Sequence, residues 1–194
     1  MGRPKEFDRD AALKAAMEVF WAKGFAGAST DDLTGAMGIG RQSLYDTFGD
    51  KRRLYLDALA RYNAESVADN LADLQSGAAA TKAIETLLLR FANAPESLRV
   101  RGCMGLNAVC EFGQDDAEVR AIGQASHELQ ASGLVRLLEA GKAAGDVAPS
   151  VDPRVAAEFI AATLAGLRMQ AKGGAPPEVL RDVAAFAVDS LKPR

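Results

Sequence analysis

The chain has 194 residues, of which 48% are hydrophobic and 25% are charged, and this composition is typical of a globular protein with one large or two modest domains. No apolar run reaches the roughly 18–20 residues that a membrane span requires, and the polar N-terminus lacks a signal-peptide segment. We therefore expect a cytoplasmic protein without a membrane segment. The net charge is −3, but residues 1–60 balance nine Lys or Arg against nine Asp or Glu residues, so the acid excess lies in the rest of the chain.

The N-terminal segment is predicted to be an arm followed by a helix. Residues 1–6 should be disordered, and Arg3 and Lys5 could follow a nucleic-acid backbone or enter its minor groove. A solvated tail without a role is the other interpretation. Asp8 is predicted to cap a first helix that runs to about Lys23. The apolar stripe of this helix, at positions i, i+4 and i+7, consists of Leu13, Met17 and Phe20.

The stretch from residue 28 to residue 51 is predicted to form two short helices joined by a tight corner. Ser29 and Thr30 carry hydroxyl groups that can cap the first helix, and Gly38 ends that helix within about two turns. A second helix follows from about Arg41, because the glycine-rich segment between them can turn sharply. The apolar side chains expected to meet inside the corner are Leu33, Met37, Ile39, Leu44 and Phe48.

The second of these short helices is predicted to present a polar face to solvent. Donors, acceptors and one aromatic ring on such a face can meet phosphates and base edges in the major groove of DNA. The predicted DNA-contacting residues are Thr30, Arg41, Gln42, Ser43, Tyr45, Thr47 and Lys51. The cations available to neutralise phosphates are Arg3, Lys5, Arg41, Lys51, Arg52 and Arg53, which is a modest number.

All later segments show helical periodicity, and no alternating pattern predicts a strand. Gly and Pro punctuate the chain between these segments. Helices are expected near residues 51–74, 79–93, 98–112, 116–144, 153–172 and 177–191.

These elements predict an all-α protein with two domains. The first, at residues 1–50, is a three-helix helix-turn-helix DNA-binding domain, and the second, at residues 51–194, is a helical effector-binding and dimerisation domain. The long helix at 51–74 is the only obvious mechanical link between them. Its candidate contacts are Leu54 near the DNA-binding domain and Leu71 and Leu74 at the far end.

The last two helices are rich in small residues, which allow helices to approach closely. These residues are Ala156, Ala157, Ala161, Ala162, Ala165 and Gly166, then Ala184, Ala185 and Ala187. Two such helices could pair with a second copy across a twofold axis to form a four-helix bundle. An ordinary core within one chain is the other interpretation.

The best candidate for a small-molecule site is the stretch from residue 101 to residue 112. It is mostly apolar, and Asn107 and Glu111 lie four residues apart on one helix face, as the polar anchors of a ligand pocket would. Asn107 could instead cap a turn, and Glu111 could pair with Arg90 or Arg120. The predicted effector-binding residues are Cys103, Met104, Asn107, Glu111 and His127.

The two cysteines and the single histidine offer weak signals for chemistry. Cys103 and Cys110 are seven residues apart on one predicted helix, about 10 Å by helical rise, so they cannot form a disulfide with each other. They could be small buried hydrophobic residues, a thiol sensor or part of a pocket lining. His127 has no neighbouring nucleophile, so it is expected to line a pocket or to face solvent. No metal site or cofactor is predicted, because zinc-ligand spacings and phosphate-binding loops are missing.

The residues of the predicted corner resemble a known family. Their pattern over residues 7–62 is similar to the DNA-binding domain of TetR/AcrR-type transcriptional repressors, although Thr34 stands where a small alanine is usual. The matching residues are Thr30, Leu33, Gly38, Ile39, Leu44, Tyr45, Phe48 and Lys51. The resemblance implies a homodimer that forms through the last two long helices.

The predicted function is therefore a DNA-binding transcriptional regulator, a repressor that binds a palindromic double-stranded operator as a dimer and is released by a small-molecule effector. The alternative is a small all-helical enzyme or carrier that uses a C-terminal cavity without binding DNA. No nucleophile–base pair, metal cluster or glycine-rich phosphate loop supports the alternative.

Overall fold

The computed structural model describes residues 7–193, and within them the chain forms ten α-helices and no strand. The predicted all-α fold is confirmed. The predicted contribution of Arg3 and Lys5 lies outside the described residues. The helices are α1 (Arg9–Gly27), α2 (Thr30–Met37), α3 (Arg41–Phe48), α4 (Lys51–Leu74), α5 (Ala80–Ala92), α6 (Glu96–Arg101), α7 (Met104–Phe112), α8 (Ala117–Ala144), α9 (Pro153–Lys172) and α10 (Pro177–Asp189).

Two of the predicted helices differ from their predicted bounds, and each of them contains a break at a glycine. The helix predicted at 98–112 is in fact two helices, α6 and α7, since Gly102 adopts φ 69° and ψ −150° between them. The first helix was predicted to stop at Gly24, and the helical conformation does break there, with φ 71° and ψ 179°, but the chain then resumes a helical conformation and α1 ends at Gly27. Both breaks use backbone conformations that glycine adopts at little cost.

The first hydrophobic core joins α1, α2 and α3 to the first half of α4. Leu33, Leu44 and Leu54 are completely buried in this core. Met104 from α7 and Val119 from α8 also belong to it. The hydrophobic cluster therefore continues across residue 50, where the sequence suggested a domain boundary, and it includes the first residues of the C-terminal segment.

The second hydrophobic core is built from α5, α8, α9 and α10, with the end of α4 packed against it. Leu74 is buried there, and Leu71 packs at its edge. A Cβ atom added to Gly133 of α8 would lie 2.4 Å from the Cδ2 atom of Leu71, so the glycine makes room for this contact. Helix α4 thus reaches from the first core to the second, as the sequence predicts.

Within residues 7–193, none of the helices combines the length and the apolar character needed to cross a membrane.

Candidate nucleic-acid interface and ligand cavity

Helix α2 begins with a reciprocal cap between Ser29 and Asp32. The Asp32 N–H donates to the Ser29 Oγ atom at 3.0 Å, and the Ser29 N–H donates to the Asp32 carboxylate at 3.0 Å. Lys23 also donates to Asp32, at 2.6 Å. The hydrogen bond from Lys23, followed by those from Ser29, holds the pKa of Asp32 well below its usual range. The cap predicted from the hydroxyl residues therefore defines the start of α2.

The corner between α2 and α3 has the predicted geometry. Gly38 adopts a left-handed conformation with φ 66° and ψ 28°, which ends α2. Leu33 and Leu44 meet beneath the corner with no exposed surface, and Phe48 is buried beside them. The two short helices are consequently held against α1 and α4, and the opposite face of α3 is free.

The free face of α3 carries the predicted polar side chains. Arg41 and Gln42 are exposed, Tyr45 is 45% exposed, and Ser43 is half-buried. The Arg41 guanidinium pairs with Asp31 at 2.6 Å, and the Gln42 amide donates to Asp46 at 2.8 Å. Because these acid partners are exposed, the pairs are weak in water and can exchange for phosphate or base contacts.

Three further predicted contact residues lie at the edges of this face. Thr30 is half-buried in the first turn of α2, and the buried Thr47 Oγ1 atom has no hydrogen-bond partner among the described residues. The Lys51 ammonium lies 4.5 Å from the centre of the Phe25 ring. Arg53 in the next position is exposed beside the recess at the end of α3.

Arg52, counted from the sequence among the available cations, has a different role. Its guanidinium pairs with Asp116 at 2.7 Å and with Glu118 at 3.0 Å, both at the start of α8. The hydrogen bonds to these two acids raise the pKa of Arg52 above its usual value. Asp116 in turn caps α8 by accepting from the Val119 N–H. Arg52 therefore links α4 to α8 and is not free to neutralise a phosphate.

A cavity of about 320 Å³ lies between α4, α7, α8 and α9. Of the predicted effector residues, Cys103 and His127 line it. His127 is near its mouth, with its Nε2 atom 3.1 Å from the Glu158 carboxylate. Most of the wall is apolar, with side chains that include Val67, Leu106, Val109 and Leu164.

The other predicted effector residues do not line this cavity. Met104 is buried in the first hydrophobic core. Asn107 and Glu111 share one face of α7, as predicted, but that face lies against α1 and the end of α9. Asn107 accepts a hydrogen bond from Lys172 at 2.5 Å, and Glu111 bonds backbone N–H groups of α1. Neither Arg90 nor Arg120 pairs with Glu111, since both have other partners.

The two cysteines do not share a helix or an environment. Cys103 is buried in the segment that caps α7, whereas Cys110 is exposed within α7. The break at Gly102, which the sequence pattern did not predict, leaves Cys103 just before the start of α7.

The structure reveals polar cavity residues that the sequence analysis missed, namely Asn63 of α4, Gln130 of α8 and Arg168 of α9. A usable signal was present, because Asn63 and Arg168 occupy inward positions on mostly apolar helix faces. Arg168 follows Leu164 and Leu167 on α9. A charged residue on an inward face indicates either a buried ion pair or a ligand.

A helix-turn-helix pair with an exposed polar reading face, joined to a helical domain with a ligand-sized cavity, defines a class of DNA-binding regulators. The family model described as "Bacterial regulatory proteins, tetR family" matches residues 12–58, and the "Tetracyclin repressor-like, C-terminal domain" model matches residues 77–187. The chain therefore belongs to the TetR family and is a DNA-binding transcriptional repressor.

Several relatives resemble the chain over most of its length. The HTH-type transcriptional repressor ComR of Escherichia coli (strain K12) is 32% identical over 94% of this chain and 88% of that protein. The HTH-type transcriptional regulator YezE of Bacillus subtilis (strain 168), whose function is uncharacterized, is 36% identical over 75% of this chain and 78% of that protein. A cysteine mutant of the TetR family regulator CifR, solved with 26-bp double-strand operator DNA, is 33% identical, with a TM-score of 0.84, covering 98% of this chain and 100% of that chain.

Proposed function

We propose that two copies of this chain bind a palindromic operator, each with α3 in a major groove, and that a small molecule in the cavity between α4, α7, α8 and α9 releases the DNA. The exposed polar face of α3 carries this proposal, because the two cores leave it uncovered and it bears hydrogen-bond donors and acceptors. The similarity to ComR, described as a repressor, and to CifR, solved with its operator, supports repression and operator binding. We therefore expect the protein to act on DNA in the cytoplasm, as a regulator and not as an enzyme.

The contacts on α3 divide into two kinds. Arg41, Gln42 and Ser43 lie at the N-terminal end of α3, where side chains of a recognition helix reach base edges. We expect Tyr45 and Lys51 to hold phosphates, with Thr30 and Thr47 at the edges of the contact surface. A set with so few free cations implies moderate non-specific affinity.

The homodimer is proposed to form through α9 and α10, because both helices leave apolar side chains uncovered. Val155, Phe159 and Met169 on α9 are exposed, and Phe186 on α10 is 77% exposed. Gly166 lies on α9, and no described atom outside its own helix turn lies within 4 Å of the position that a Cβ would occupy. A second helix can therefore approach closely there. Exposed apolar stripes on two adjacent helices fit a four-helix bundle across a twofold axis.

Release is proposed to follow from a population shift. A ligand that prefers the conformation in which the two α3 helices no longer match successive grooves would lower operator affinity by its differential affinity for that state. The cavity wall includes residues of α4 and α7, and both helices also contribute to the first hydrophobic core. Movement of the cavity wall can therefore displace the two α3 helices of the dimer.

The test is a gel-shift and footprint assay of the purified protein on DNA that flanks its own gene. A protected region with twofold symmetry, in which the paired half-sites lie about one helical turn or a multiple of it apart, is the expected result. Retention of the footprint by a variant with both Gln42→Ala and Tyr45→Ala would contradict the placement of α3. Absence of sequence-selective binding at low salt would contradict the operator proposal itself.

A further inference from the structure

We infer that the cavity between α4, α7, α8 and α9 binds a small molecule with an apolar body and a carboxylate or similar oxyanion, and that Arg168 holds the anion. This inference rests on the proposed role of the cavity as the effector site and names the chemical class of the effector. It follows from the charge, the partners and the surroundings of one side chain on α9.

Arg168 lacks the partner that a guanidinium in such a place normally has. Its Nη1 atom lies 3.6 Å from the Cys103 sulfur, and its Nη2 atom lies 3.4 Å from the Asn70 amide oxygen, both long contacts. The Nε atom is buried and has no hydrogen-bond partner within residues 7–193. By contrast, Arg52 and Arg90, which also join helices, each pair with two carboxylates. No carboxylate of the described chain forms an ion pair with Arg168.

The desolvation of the Arg168 guanidinium favours the binding of an anion. Within residues 7–193 the Arg168 guanidinium contacts the Cys103 thiol, the Asn70 amide and the Phe91 ring, whose centre is 5.8 Å from its Cζ atom. None of these is an anion, so a partly buried cation here is destabilised relative to the same cation in water. A carboxylate or phosphate accepts two parallel hydrogen bonds from a guanidinium, and such pairs are about twice as strong as neutral hydrogen bonds. A ligand anion would therefore replace the hydrogen bonds to water that Arg168 loses on folding.

The rest of the wall agrees with an anionic ligand and excludes a cationic one. No Asp or Glu side chain of residues 7–193 lines the cavity. Asn63 is 8% exposed, faces the cavity, and its side-chain amide makes no hydrogen bond within the described chain. A Cβ atom at Gly105 would lie 2.8 Å from the Asn63 Oδ1 atom, so glycine at this position leaves space for the amide. The amide supplies a second polar contact opposite an otherwise apolar wall.

The shape of the cavity limits the size of the ligand. A volume of about 320 Å³ is at the lower end of the range for small-molecule sites. Val67, Leu106 and Leu164 would enclose the apolar body while Arg168 and Asn63 fix its polar end. An aromatic monocarboxylate or a short-chain carboxylate has these properties.

The inference is tested with the full-length protein and matched pairs of probes, benzoate with benzamide and hexanoate with hexanamide. Binding is followed by the shift in thermal unfolding temperature and by calorimetry. We expect the carboxylates to bind and the isosteric amides to bind much more weakly. Arg168→Gln should lower carboxylate affinity about 10- to 100-fold, since it removes a charged hydrogen-bonding partner. Arg154→Gln, which changes an exposed arginine on the same helix, should leave the affinity unchanged.

Equal affinity for carboxylate and amide, or no carboxylate binding across the panel, would overturn the inference. An equal loss in Arg154→Gln would do so as well. If Arg168→Gln does not fold, Arg168→Lys keeps the charge but loses the two-pronged geometry, and the carboxylate–amide comparison in the wild type remains decisive. Operator binding is measured separately: carboxylate binding without operator release would support the ligand class and contradict the proposed regulation, whereas failure to bind any operator would contradict only the proposed function.

Discussion

The carboxylate of Glu111 on α7 accepts a hydrogen bond from the backbone N–H of Phe25 in α1, at 2.9 Å. Its other oxygen accepts from the Ala26 N–H at 2.7 Å. The break at Gly24 leaves these two N–H groups without helical partners, as at the start of a helix, and the carboxylate satisfies both. A residue predicted to anchor a ligand therefore joins α7 to α1.

This contact is one of several between the two parts of the chain. Trp21 donates to the carbonyl oxygen of Gly102 at 3.1 Å, Arg101 pairs with Glu18 at 2.8 Å, and Arg52 pairs with Asp116 at the start of α8. The sequence alone suggested that α4 is the only mechanical link between these parts. The described contacts show that it is one of several. Helix α7 lines the cavity on its other side, so it also connects the cavity wall to α1.

Glu111→Ala should expose both N–H groups at the Gly24 break. We expect a loss of about 1–3 kcal/mol in the free energy of unfolding, because a charged acceptor of two hydrogen bonds is removed. Hydrogen exchange at the Phe25 and Ala26 amides should accelerate relative to the wild type. Glu139→Ala, at an exposed position on α8, is the matched control. Unchanged exchange at Phe25 and Ala26 would show that Glu111 does not hold α1 in solution.

Leu71→Ala tests transmission through α4. The Leu71 side chain packs against Gly133 of α8. Its truncation should therefore loosen the C-terminal end of α4 while α1, α2 and α3 remain intact. Ligand should still bind and apo operator affinity should change little, but release should weaken, because typical coupling energies are only about 1–3 kcal/mol. The measurement is operator affinity with and without saturating ligand in both proteins. The same affinity ratio in wild type and variant would exclude this contact from the coupling.

Lys51→Ala tests the proposed phosphate contact. The Lys51 ammonium lies over the Phe25 ring in the free protein, within the first turn of α4. Loss of one phosphate contact in each protomer should weaken binding about equally on all sequences and reduce the slope of log K against log salt by about 1.8 for the dimer. Lys14→Ala, an exposed lysine of α1, serves as the control. A slope identical to that of the wild type would mean that Lys51 does not touch phosphate.

Gln42→Ala tests base recognition. The Gln42 amide donates to Asp46 in the free protein, and this exposed bond can exchange for a base edge. We expect a loss of about 1–3 kcal/mol per half-site on the preferred operator only, together with relaxed preference at one base pair in each half-site. Affinities for a set of single-base operator variants provide the measurement. A uniform loss on every operator would assign Gln42 to the DNA backbone instead.

Phe186→Glu tests the dimer interface. Removal of residues 150–194 would not serve, because α9 and α10 also supply Ile160, Leu164 and Leu180 to the second hydrophobic core. Phe186 is largely exposed, so a glutamate there should leave the fold intact while placing like charges across a twofold axis. Sedimentation should show monomers, and operator affinity should fall towards the non-specific level. Val100→Glu, at an exposed apolar position on α6, is the control; a dimeric Phe186→Glu would locate the interface elsewhere.

The sequence by itself determined the features that depend on near neighbours. The Ser29 cap, the left-handed Gly38 and the inward spacing of Leu33, Leu44 and Phe48 are set by residues within one or two turns of each other. They define the corner, and the corner leaves only one face of α3 for DNA. The bounds of α9, from the proline after Asp152 to Lys172, were predictable for the same reason.

Only the tertiary structure decided which partners the polar side chains of the C-terminal segment contact. Glu111 and Phe25 are 86 residues apart, and Arg52 and Asp116 are 64 apart, so no local pattern pairs them. The break at Gly102 turned Asn107 and Glu111 towards α1 and the end of α9, away from the cavity. Arg168 gained its position there from the packing of α9 against α8. Periodicity shows that a side chain points inward, but the helices packed around it determine whether it meets an acid, a backbone or a cavity.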